Sequence, residues 1–112
     1  MGDNIVQIVG DKLNKENYFI WLYRMEDFLM GKGLWGLVNE EDECPELLEN
    51  LNAEEQNEYK TWIEKSRKVL HWILICISES LIPHIIKASI PKEAWDIIHE
   101  YMVRRQKLEK FT

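Results

Sequence analysis

Asn17-Tyr18-Phe19-Ile20-Trp21-Leu22-Tyr23-Arg24-Met25-Glu26-Asp27-Phe28-Leu29-Met30 decides the fold class of this 112-residue chain. Tyr18, Trp21, Leu22, Met25, Phe28 and Leu29 recur at i, i+3, i+4, i+7, i+10 and i+11. That spacing puts one apolar stripe on an α-helix and has no period-2 alternation that a half-buried strand would need. Gly31 and Gly33 follow as stop signals, because glycine takes the left-handed conformation of a helix C-terminus without a steric penalty. A short helix over Leu34 to Val38 then turns Trp35 back toward the first.

The same reading extends along the chain. Asn52, with Glu55 three residues on, matches a capping box with Asn in place of Ser or Thr. A long helix follows to about Ser78. Its second half is apolar nearly all round, through Val69, Leu70, Trp72, Ile73, Leu74, Cys76 and Ile77, which predicts a central helix covered on several sides. Pro83 suits the first turn of a short helix over Ser80 to Ala88, and Pro91 the start of a last helix carrying Ala94, Trp95, Ile98, Tyr101 and Met102. Residues 39–52, with Pro45, read as a loop holding at most a turn of helix at Glu46 to Asn50. Near the N-terminus, Ile5, Val6 and Ile8 lie in a short apolar run that reads as an extended arm or a strand. The expected organisation is an arm over 1–12, a helical lobe over 13–103 and a basic tail over 104–112. The fold class is all-α, a compact bundle of four to six helices.

Composition agrees. At 46% hydrophobic residues and five tryptophans, a chain this long forms one domain that buries roughly two-thirds of its unfolded surface. The net charge of −6 argues against nucleic acid as the main ligand, which depends on clustered Lys and Arg. Charge is also unevenly placed. Glu40, Glu41, Asp42, Glu43, Glu46, Glu49, Glu54, Glu55 and Glu58 stand in a stretch without a base, whereas Arg104, Arg105, Lys107 and Lys110 face only Glu109 at the C-terminal end. The plain reading is a solvated loop and a frayed tail; the sharper one is attraction between the loop of one subunit and the tail of the next.

Chemistry-bearing constellations are absent from the sequence. Cys44 and Cys76 are too few and too far apart for a disulfide scaffold or a Cys-x-x-Cys metal site. His71, His84 and His99 share no helix turn, so no metal is expected. Gly31-Lys32-Gly33 lacks the remaining elements of a phosphate loop, and Ser66, Ser78 and Ser80 lack a nucleophile elbow. The expectation is therefore no enzyme, no cofactor and no small-molecule substrate. Met1-Gly2 resembles a myristoylation start, but Val6 occupies the position that calls for Ser or Thr. Without a secretory segment or an apolar run of about 18 residues, the chain reads as soluble and cytoplasmic, with no membrane partner.

Three segments carry a family resemblance. Leu13-Asn14-Lys15-Glu16-Asn17-Tyr18-Phe19-Ile20-Trp21, continuing through Met25, Leu29 and Leu34-Trp35 to Val38, resembles the N-terminal part of Gag from copia-type (Ty1/copia) LTR retrotransposons, where "L-N-G-x-N-Y-x-x-W-x-x-x-M" precedes "L-W-x-x-V". Arg67-Lys68-Val69-Leu70-His71-Trp72-Ile73-Leu74 stands where that family has a long helix, and Pro91-Lys92-Glu93-Ala94-Trp95-Asp96-Ile97-Ile98 looks like its "T-x-K-E-A-W-D-x-L" helix. The likeness spans about Leu13 to Tyr101 and implies a capsid N-terminal lobe that works by protein–protein contacts. Its partners would be itself or related Gag chains. The alternative is a monomeric helical adaptor binding an apolar peptide of a host protein.

Departures from the pattern matter as well. Lys15 replaces the usual Gly, so Asn14 or Asn17 is expected to take its positive φ. Family members continue past the position of Tyr101 into a second lobe and a zinc knuckle, and this sequence has no knuckle. Tyr18, Trp21, Met25, Leu29, Trp62, Ile73, Ile77, Trp95 and Ile98 are the expected core. Ile5, Val6, Ile8, Trp35, Arg104 and Arg105 are the expected interaction residues.

Overall fold

The computed structural model describes residues 10–39 and 41–110, with side chains through 105. Five α-helices are present among them: α1 (Tyr18–Gly31), α2 (Gly36–Asn39), α3 (Ala53–Ile75), α4 (Ile82–Ile85) and α5 (Pro91–Lys110), with a 3₁₀ turn over Glu79–Leu81 ahead of α4. No strand occurs among the described residues, and the fold is all-α. Among the described residues, Leu13 and Ile77 form an isolated parallel bridge.

Helix α1 begins where two asparagines fold the chain into it. Asn14 Oδ1 accepts the Glu16 and Asn17 amides, while Asn17 Oδ1 accepts the Asn14 amide and its Nδ2 donates to the Lys12 carbonyl. Side-chain bonding of this kind replaces the backbone freedom that glycine would supply. Of the two asparagines proposed for a positive φ, Asn17 has φ −113° and does not take it. At the other end the expected glycine stop is realised at Gly33, with φ +72°. Leu34 N donates to Leu29 O and Gly33 N to Met30 O, the paired bonds of a Schellman motif.

The capping box at the start of α3 is complete: Glu55 N donates to Asn52 Oδ1 at 2.8 Å, and Asn52 N to Glu55 Oε1 at 3.3 Å. The helix ends at Ile75, three residues short of the expected Ser78. The cause is the N-terminal strap. Leu13 N donates to Cys76 O at 2.8 Å and Ser78 N to Leu13 O at 3.0 Å, so the backbone around Ile77 bonds to Leu13 instead of continuing the helix. The segment from 41 to 52 is a loop, as read from the sequence, with a turn at Glu49 and Asn50 and no helical turn over Glu46 to Asn50. Its first part is fastened: Asp42 N donates to Gly36 O, and Trp62 Nε1 to Asp42 O, each at 3.0 Å.

Helix α5 starts at Pro91 as the sequence implies and packs against α2, α3 and α4. It continues through Lys110. Arg104 and Arg105 thus extend a helix, and the frayed tail expected for them is not what the structure has.

Candidate interaction surface

Core and surface separate clearly along α1. Tyr18, Trp21, Met25, Phe28 and Leu29 point inward and are buried. Trp21 Nε1 donates to Cys76 O at 2.8 Å, so that carbonyl, left without a helical partner at the end of α3, receives two donors. The Trp21 ring lies 5.7 Å from Trp95 on α5, and Trp95 meets Trp35 edge-on at 5.2 Å and 78°. Phe28 meets Trp72 of α3 edge-on at 4.9 Å and 85°. Edge-to-face pairs of this kind add about 0.5–1.5 kcal/mol beyond area burial.

Of the expected core residues, Tyr18, Trp21, Met25, Leu29, Trp62, Ile73, Ile77 and Ile98 are buried, and Trp95 is half-buried with its ring between two other tryptophans. Burial also sets the titration of two groups. The Cys76 thiol is pushed up to about 11, chiefly by desolvation and slightly opposed by Lys12, and desolvation raises the Tyr18 phenol. Tyr18 Oη lies 3.0 Å from His99 Nδ1, and His84 packs on Tyr101 with ring centroids 4.5 Å apart. No group of three or more His, Cys, Asp or Glu side chains positioned to hold a metal occurs among the described residues. No helix among them is long and apolar enough to cross a membrane.

Among the described residues, the expected interaction residues Trp35 and Arg104 stand apart. Ile5, Val6 and Ile8 lie outside the described residues. Trp35 is half-buried against Trp95, which makes it part of the aromatic cluster instead of a free anchor. Arg104 is exposed and paired with Glu100 at 2.5 Å. It sits nine residues beyond Trp95 on α5, about 13 Å along the axis.

A different surface emerges on the outer side of α1. Phe19 is 66% exposed, Ile20 62%, Tyr23 74% and Met30 52%. Side chains of this size offer on the order of 150–250 Å² each, so the four present about 500 Å², within the range where the largest apolar patch of a monomer is often functional. Leu47 and Leu48 in the acidic loop and Ile86 after α4 are exposed to a similar degree. The inner stripe of α1 leaves the four outer residues unassigned in the sequence. Their own spacing, with Phe19 to Tyr23 at i+4, Ile20 to Tyr23 at i+3 and Tyr23 to Met30 at i+7, is the signal that would have found them.

Compared with models of protein families, with curated proteins and with solved structures, the chain matches none.

Proposed function

We propose that this protein is a capsid-type helical lobe, from a copia-type Gag or from a host gene derived from one, and that it acts by repeated contacts with its own copies. The observation that carries the reading is the outer face of α1, an apolar surface on an already complete helical lobe. Its support in the core is that the early and late motif segments meet: Trp21 and Trp95 touch, and Ile73 from the middle helix lies buried in the same cluster. An apolar patch of about 500 Å² is of the size that often serves as a contact surface, and contacts between identical subunits generate closed assemblies when the rotation closes. On this reading the lobe works in the cytoplasm, carries out no chemistry of its own, and takes neither nucleic acid nor membrane nor small molecule as its direct partner.

The second reading, an adaptor for an apolar peptide, draws on the shallow cleft on α4 and α5 lined by His84, Ile97, Glu100, Tyr101 and Arg104. Light scattering on the purified chain over a range of concentration and salt separates the two. Growth in mass with concentration is expected for the assembling lobe; a monomer at every concentration would sink it and leave the adaptor.

A further inference from the structure

We infer that the outer face of α1 is a two-fold, antiparallel interface that docks a second copy of the same helix. The inference rests on the reading of this protein as one that associates with itself, and it names the surface and the geometry.

At about 100° per residue, Phe19, Met30 and Tyr23 lie within about 40° of one another, and Asp27, Ile20 and Arg24 follow on one side within the next 100° or so. Large apolar groups therefore occupy one edge and centre of the face, and an acid and a base share the other edge. Glu26 and Leu22 are half-buried and Met25 is fully buried, which bounds the face.

Which copy-to-copy arrangement suits this face follows from its charges. In a parallel two-fold pairing the charged edge of one copy lies over the apolar edge of the other, which sets Arg24 and Asp27 against apolar groups and is costly. In an antiparallel pairing about an axis near Met25, residue numbers facing each other sum to about 50. Phe19 of one copy then faces Met30 of the other, Arg24 faces Asp27, and each contact occurs twice, as an isologous interface requires. Arg24 also makes a contact within its own chain, and the second copy adds a carboxylate to it. Asp27, an acid amid apolar neighbours, thereby gains the cation that its desolvation demands.

Area decides the strength. Two faces of about 500 Å² bury about 1,000 Å² together, at the lower bound for a specific interface. Such a dimer is weak, with an affinity on the order of micromolar. A heterologous groove elsewhere on the lobe is not required, because the surface is its own complement.

Sedimentation velocity on the full chain provides the first test. A concentration-dependent dimer is expected, and Tyr23→Lys should weaken it at least tenfold while circular dichroism shows an unchanged fold, since Tyr23 touches solvent and not core. Geometry is tested by cross-linking in a Cys44→Ser background. Phe19 and Met30 are eleven residues apart on one helix, about 16 Å, too far for a bridge within a copy. The double variant Phe19→Cys/Met30→Cys should therefore oxidise to a disulfide-linked dimer, and Phe19→Cys alone should not. Efficient linkage through Phe19→Cys alone would overturn the antiparallel arrangement. A dimer indifferent to Tyr23→Lys would overturn this surface while leaving self-association standing; a wild-type chain that stays monomeric at millimolar concentration would overturn both.

Discussion

The two sides of α1 are built from similar residues and meet different fates. Inward lie Tyr18, Trp21, Met25, Phe28 and Leu29; outward lie Phe19, Ile20, Tyr23 and Met30. Hydrophobicity alone does not distinguish them. What does is the arrangement of partners: α3 and α5 bring Trp72, Cys76 and Trp95 to the inner side, with a hydrogen bond for the one buried indole that faces them, whereas on the outer side Gly10 lies against Arg24 at the edge and Phe19, Ile20, Tyr23 and Met30 stay more than half exposed. An apolar residue on a helix is thus core or contact according to the neighbour the fold supplies.

The comparison can be broken most forcefully from the inside. Trp21→Ala should cost about 3–5 kcal/mol by opening a core cavity, and more than Trp95→Ala, whose ring is half-buried. Urea denaturation followed by circular dichroism measures both, and equal losses would erase the distinction between full and partial burial.

Next in size is a pH effect that only the inner side predicts. The Cys76 pKa stands above its ordinary value of 9.0, at about 11, because burial disfavours the thiolate. The stability gained from the neutral thiol is therefore complete below pH 9 and is lost as pH rises toward and through 11, at up to about 1.4 kcal/mol per pH unit. Denaturation midpoints of the wild type should fall more steeply between pH 9 and 11 than those of Cys76→Ala; parallel slopes would refute the assignment.

Gly33→Ala tests the end of the helix that both faces share. Its φ of +72° lies in the left-handed region while the space around it is open, so the cost is backbone strain alone, about 1–2 kcal/mol. A drop of about 4–8 °C in Tm for each kcal/mol is expected, and a neutral result would show that the turn is set elsewhere. The smallest stability effect belongs to the outer face. Phe19→Ser and Tyr23→Ser should stay within about 0.5 kcal/mol in the monomer yet reduce concentration-dependent association. A large loss of monomer stability would mean that these side chains are core after all.

Legibility in the sequence followed the reach of the interactions involved. The inner stripe of α1, the Asn52–Glu55 capping box and the Pro91 start of α5 depend on residues within about one or two turns, and local spacing suffices to read them. The end of α3 is set by Leu13, more than sixty positions away in the chain, and apolar periodicity through Ile77 gives no warning of it. The asparagine turn ahead of α1 was legible in its residues but not in its means, the side-chain hydrogen bonds that tie Asn14, Asn17 and Lys12 together. Arg104 and Arg105 carried a charge signal that read as tail, although the i,i+4 pairing of Glu100 with Arg104 favours helix. For the candidate surface the residues were visible and their role was not, because exposure belongs to the assembled lobe.

The double acceptance at the Cys76 carbonyl has a kinetic consequence. Trp21 Nε1 reaches it across 55 positions of chain, and closing a loop of that length costs about 3–4 kcal/mol of entropy before the contact gives anything back. This fastening therefore forms late, after α1 and α3 exist, and opens only when the lobe as a whole opens. The Trp21 indole hydrogen and the Leu13 amide should be among the slowest to exchange with deuterium, and their rates should track global unfolding. A single indole resonance would then report the integrity of the entire lobe.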